Sequence, residues 1–284
     1  MQQTLKQKLN ISGIGLHSGC QSNLVISPAD EDFGIKFVRS DMANDNLFPA
    51  LYSNVVDTRN CTCLGNQSGQ VVSTIEHLMA ALYAFGIDNA LIGIDNPEVP
   101  IMDGSARIFC DCLNDAQLVS QSAKRKILKV KKNVEFVDNN GNSVGLRPSD
   151  NFKINFEIEF PSKIVGHQKF SDIITKELFI NKIAPARTFC EKYQVDYLRS
   201  IGLIKGGSLD NAVVLDGETI LNEGGFRMNN ECVTHKVLDC IGDMFTSGHR
   251  LHAEVNLSKS GHYHNNEILK KLFSDNGNYE IIEE

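Results

Sequence analysis

Hydrophobic positions recur at helical spacing in two stretches of the chain. Across Thr234 to Thr246, a step of 100° per residue gathers Val237, Leu238, Ile241, Met244 and Phe245 on one side. His235, Asp239, Gly242 and Asp243 fall on the other side. The second predicted helix runs from Thr74 to Phe85, where Ala80, Ala81 and Ala84 give a small, close-approach face beside His77. Period-two alternation predicts strands at Gly34–Val38 and Phe152–Ile158, and at Ile127–Lys132 with one solvated face.

These elements recur in a similar order. Leu24–Asp30 leads into the Gly34–Val38 strand, and Val144–Asp150 leads into the Phe152–Ile158 strand. Each stretch continues to a strong helix, then to Gly86 or Gly248 and a further strand. Asp103-Gly104-Ser105 and Ser260-Gly261-His262 then each open another helix. The layout predicts an α+β fold made of a duplicated unit, residues 1–122 and 123–284, with the boundary near Ser120 to Lys124.

Composition narrows the possibilities. The 284 residues, 42% hydrophobic and 22% charged, suit a globular protein with one large core or two medium ones. A net charge of -7 argues against a general nucleic-acid binder. No apolar run approaches the ~20 residues that span a bilayer. The amino terminus lacks the apolar stretch of a signal peptide, so a cytoplasmic protein is expected. In that setting the eight cysteines are expected to be reduced thiols, most of them small buried hydrophobes. No coiled-coil heptad demands a partner, and a monomer is expected.

The polar helix face carries the candidate chemistry. His235 and Asp239 are one turn apart, so both side chains can reach one metal ion. His77 would complete a His/His/Asp set of the kind that leaves a zinc position open. Glu76, beside a ligand, can serve as general base, although Ser73-x-x-Glu76 also reads as a capping box at the helix start. Asp243 is expected to pair with His262 and hold it as an imidazolium, able to stabilise an oxyanion and protonate a departing amine. His17, His167, His249, His252 and His264 have no partner evident in sequence and are expected on loops or the surface.

Five motifs occur in order: Ser73-Thr74-Ile75-Glu76-His77-Leu78, Pro97 through Ser105, Ala186-Arg187-Thr188-Phe189, His235-Lys236-x-x-Asp239-x-x-Gly242-Asp243, and Lys259-Ser260-Gly261-His262-x-x-Asn265-Asn266. The set resembles the UDP-3-O-acyl-N-acetylglucosamine deacetylases, zinc amidohydrolases of lipid A biosynthesis, over nearly the whole chain. That resemblance implies one catalytic zinc ion on His77, His235 and Asp239, Glu76 as base, and His262 as the positive partner supported by Asp243. It also implies that the Thr188 hydroxyl meets the carbonyl oxygen, Phe189 lies beside the sugar, Phe160 near the uracil, and Lys236 and Lys259 near the diphosphate. Cys61 matches a family cysteine close to the metal, where extra zinc inhibits. The implied fold is a sandwich of two βααβ-type domains with helices between two sheets and the site at their junction. An insertion near 180–204, including Tyr193, Val195, Tyr197, Leu198 and Leu203, would form a passage for a fatty acyl chain.

Rival chemistries fit the sequence less well. His252-Ala253-Glu254 matches the H-x-E of a zinc deaminase, but no P-C-x-x-C follows. Glu76-His77 has the wrong order for an H-E-x-x-H protease. Lys205-Gly206-Gly207-Ser208 departs from the phosphate-loop spacing of a phosphotransferase. A binding module with structural zinc would favour a closed, cysteine-rich site.

Overall fold

The computed structural model describes residues 1–284 and is a mixed α+β structure with six helices. Two larger sheets dominate. The five-stranded sheet has the order Leu9–Ile14, Gln21–Pro28, Ala90–Ile94, Ile35–Arg39, Leu47–Pro49. Its Gln21–Pro28 strand alternates buried and open positions, with Leu24 and Ile26 pointing into the core. The seven-stranded sheet centres on Arg250–Ser258. This strand pairs antiparallel with Ser143–Arg147 on one side. On the other it pairs in parallel with Lys126–Val130 and then with Phe152–Glu159.

The helices are α1 (Glu76–Phe85), α2 (Arg107–Asp115), the single turn α3 (Lys176–Leu178), α4 (Lys192–Ser200), α5 (Glu231–Phe245) and α6 (His262–Phe273). Every residue of α1 is buried, and every residue of α5 except Lys236. The two helices pack on each other, so the polar side of α5 faces protein rather than water. Sixty buried apolar residues form one continuous core that includes α1, α5 and strands of both sheets. Full burial of each large aliphatic or aromatic side chain contributes about 1.5–3 kcal/mol, which explains why helices with so many polar residues are still held inside.

Several local expectations need correction. Helix α1 starts at Glu76, not Thr74, because Thr74 sits in the left-handed region at φ 59°. Ser73 does not cap it: its hydroxyl donates to the Pro97 carbonyl at 3.1 Å, and its segment bridges Glu98. The Lys126–Val130 strand, paired antiparallel with Tyr279–Glu283, lacks a fully solvated face, since Ile127 is buried along with Leu128 and Val130. Phe179, Ile183, Ala184 and Ala186 belong to the buried interior, and a small sheet of Phe189–Glu191, Val213–Asp216 and Thr219–Ile220 carries α4 on the outside. No helix is long and apolar enough to cross a membrane, and all eight cysteines are free thiols.

Candidate metal centre

The α1–α5 contact decides what this region can do. Gly242 of α5 lies against the first residue of α1, where a Cβ would stand 2.0 Å from the Glu76 carbonyl oxygen. With no side chain between them, the helices approach closely enough for His77 of α1 to meet His235 and Asp239 of α5. Asp239 Oδ1 lies 3.5 Å from His77 Nε2 and 3.4 Å from His235 Nε2. One donor atom from each of the three residues lies within 4.8 Å of the others, and all three residues are buried.

The donor set fits a metal. Asp239 Oδ1 is buried without a hydrogen-bond partner, a costly condition unless a cation faces it. His235 Nδ1 lies 3.1 Å from the Ala186 carbonyl and donates to it, which leaves the Nε2 lone pair aimed at the cluster. Burial outweighs the pull of Asp239 and lowers the His235 pKa to about 3, so the imidazole is neutral, as a ligand must be. Burial also works against charge on Asp239. The Lys236 ammonium, 2.6 Å from Oδ2, and the charged His262 nevertheless hold that carboxyl well below the usual range.

Glu76 and His262 flank this trio. Glu76 Oε2 accepts the Thr62 amide at 3.0 Å, and burial raises the Glu76 pKa against the opposing pull of His262 and His77. His262 Nδ1 donates to Asp243 Oδ2 at 2.7 Å. Burial would lower the His262 pKa, but Asp243, Asp239 and Glu76 outweigh it and raise it to about 9. Asp243 is itself fixed by two further donors, Thr62 Oγ1 at 2.6 Å and Asn265 Nδ2 at 2.8 Å.

His77, His235, Asp239, Glu76 and His262 open onto a cleft of about 1330 Å³ that also exposes Thr188, Phe160, Phe189, Lys236 and Lys259. The rings of Phe160 and Phe189 meet edge to face at 5.4 Å, and Phe189 in turn lies 6.5 Å from the His235 ring. Lys236 reaches inward to Asp239, whereas Lys259 pairs with Glu159 at the rim. Val195, Tyr197, Leu198 and Leu203 line the cleft with Leu209, Val214 and Leu221. Tyr193 points away and is 72% exposed. Cys61 also lines it, and burial raises its thiol pKa. Neither Cys61 nor Cys63 joins the three-residue donor group.

Sequence reasoning assigned no role to four contributors. Thr62 links Glu76 to Asp243, yet stands 181 positions from the latter, beyond any local pattern. Asn265 falls one helical turn after His262, a spacing that could have revealed it. Glu231 clamps Arg187 through its backbone amide and guanidinium at 2.9–3.2 Å, which fixes the turn carrying Thr188 and Phe189. His264, expected at the surface, is buried, with Nε2 3.1 Å from Asp138 Oδ2 and Nδ1 accepting the Gly261 amide at 3.3 Å. His17 lies on a loop, but its ring forms part of the cleft wall and its nitrogens are buried without partners.

Residues 2–274 match the family described as UDP-3-O-acyl N-acetylglycosamine deacetylase. The chain is 43% identical over 282 residues to the UDP-3-O-acyl-N-acetylglucosamine deacetylase of Aliarcobacter butzleri, spanning 99% of this chain and 93% of that protein. Identity to the protein of the same name from Syntrophotalea carbinolica is 44% over 282 residues, or 99% and 91% of the two chains. The Histophilus somni protein of that name is 41% identical over 283 residues. This chain therefore belongs to the UDP-3-O-acyl N-acetylglycosamine deacetylase family, the deacetylases of lipid A biosynthesis.

Proposed function

We propose that the protein hydrolyses the N-acetyl amide of UDP-3-O-(3-hydroxyacyl)-N-acetylglucosamine, giving acetate and UDP-3-O-(3-hydroxyacyl)-glucosamine. One observation carries this reading: the buried, unpartnered Asp239 Oδ1 faces two imidazole Nε2 atoms, with a carboxylate and a charged imidazole on either flank. His77, His235 and Asp239 would hold one zinc ion. When bound, zinc supplies a Lewis acid that acidifies water and polarises the amide carbonyl.

The protein groups do the rest. Glu76 accepts the proton of the attacking water; its Oε2 is anchored on Thr62, and the raised pKa makes it a stronger base than an exposed glutamate. His262, kept cationic by Asp243, stabilises the oxyanion as the carbonyl carbon becomes tetrahedral, and the Thr188 hydroxyl donates to the same oxygen. The C–N bond then breaks, and His262 or the newly protonated Glu76 gives a proton to the amine.

The family names support the UDP-sugar as substrate, and the cleft suits its parts. Phe189 and Phe160 offer faces to the sugar and uracil, and Lys236 and Lys259 offer charge to the diphosphate. The apolar wall around α4 takes the acyl chain. In this reading residues 1–122 and 123–284 are two related halves with α1 and α5 sandwiched between sheets and the site at their junction. The enzyme works as a monomer in the cytoplasm, consistent with its eight free thiols. Mass spectrometry of the product provides the test: the reading requires loss of acetyl with the acyl ester retained. Intact substrate or ester cleavage would overturn it.

A further inference from the structure

Glu98 lies in the Pro97 to Ser105 motif, yet none of the chemistry above uses it. It is 2% exposed, and its carboxylate accepts three hydrogen bonds. Oε1 accepts the His17 amide at 2.8 Å and the Thr74 hydroxyl at 3.0 Å, and Oε2 accepts the Ser18 amide at 2.7 Å. Thr74 is the strained residue just before α1, so one carboxylate ties the entry to the Glu76 helix to a distant turn.

That turn, Gly15 to Cys20, closes on itself through the Gly15 amide to the Cys20 carbonyl and the Gly19 amide to the Gly15 carbonyl. A Cβ on Gly15 would lie 2.5 Å from Glu98 Oε2, so the carboxylate occupies the space a side chain would need. The far side of the turn docks on the second half of the chain. The Lys205 amide donates to the His17 carbonyl at 3.2 Å and the Gly206 amide to the Leu16 carbonyl at 3.0 Å. A Cβ on Gly206 would come 2.3 Å from the Gly15 carbonyl oxygen. Leu16 and His17 on one side of this seam, and Leu203 and Ile204 on the other, all line the cleft.

We infer that Glu98 is a positioning residue for acyl-chain binding: it holds the Gly15–Cys20 turn against residues 205–206 and so sets the width of the apolar wall. The inference rests on the proposed substrate. A buried carboxylate with three donors is strongly held, and removal of one acceptor leaves an amide unsatisfied. In Glu98→Gln an NH₂ replaces one oxygen, so one of the two backbone amides loses its acceptor and the turn loosens.

The experiment compares kcat and KM of the zinc-loaded wild type, Glu98→Gln and Gly206→Ala on UDP-3-O-acyl-N-acetylglucosamines of short and long acyl chain. Both variants should raise KM for the long-chain substrate on the order of ten-fold, with kcat and short-chain KM within about two-fold. Gly206→Ala opens the same seam from the opposite side and decides the matter if Glu98→Gln fails to fold. Unchanged long-chain KM, or equal losses on short and long chains, would overturn the inference. A wild-type enzyme indifferent to acyl length would instead overturn the assignment of the apolar wall.

Discussion

Gly242 and Glu76 touch backbone to backbone: a methyl group on the glycine would sit 2.0 Å from the glutamate carbonyl oxygen. The contact sets the separation of α1 and α5, and with it the spacing of His77 from His235 and Asp239. Gly242→Ala must push the helices apart, and overpacking of this kind costs about 1–3 kcal/mol. Thermal unfolding should show that loss. Zinc titration by calorimetry should show weakened affinity, since the ligands come from both helices. An alanine variant with wild-type stability and affinity would mean that the helices are not held by this approach.

The polar pattern of α5 was legible in the sequence because His235, Asp239 and Asp243 repeat at the helical period. What surrounds that face was not. An amphipathic pattern says which residues share a side, and a solvated side is the usual outcome. Here it is buried against α1, and only Lys236 keeps partial exposure. The Ser73-x-x-Glu76 spacing misled in the opposite way. A local capping pattern lost to tertiary partners, Pro97 for Ser73 and Thr62 for Glu76. The partnership of His264 with Asp138 joins residues 126 positions apart and left no local trace.

Glu76→Gln keeps the volume of the side chain and removes the base. Its rate should fall by about 10²–10⁴-fold, the usual contribution of a positioned general base. Metal content should remain that of the wild type, because Glu76 is not among the three donor residues. Single-turnover acetate release beside metal analysis separates the two effects. A near-normal rate would remove Glu76 from the role of base.

The pH dependence follows from opposite requirements. Glu76 must be ionised, and its raised pKa places the acid limb of kcat/KM above the ordinary glutamate range. His262 must be protonated, so the alkaline limb should fall near about 9. The same group affects stability: its folded pKa lies above the unfolded value of 6.5, so its contribution is complete below 6.5 and lost as pH rises through about 9. Asp243→Asn removes the strongest of the raising carboxylates and should move the alkaline limb to lower pH. A pH-rate profile of the variant with an unmoved alkaline limb would exclude His262 as the group responsible.

His264 fastens the first turn of α6, from which His262 faces the site. His264→Leu keeps an apolar body against Phe136 and loses both hydrogen bonds. It should lower stability by about 1–2 kcal/mol and leave Asp138 without that donor. Denaturant unfolding measures this directly, and an unchanged midpoint would show that the Asp138 contact does not hold the helix.

The central claim is that His77, His235 and Asp239 bind one zinc ion that amide hydrolysis requires. Acetate release from UDP-3-O-(3-hydroxyacyl)-N-acetylglucosamine should therefore be measured before chelation, after it, and after zinc is restored, with circular dichroism and metal content followed in parallel. The expected result is a folded, inactive apoprotein that regains activity in proportion to zinc, up to about one ion per chain. Full hydrolysis by a metal-free, folded protein would contradict the account, as would a zinc-loaded protein that releases no acetate.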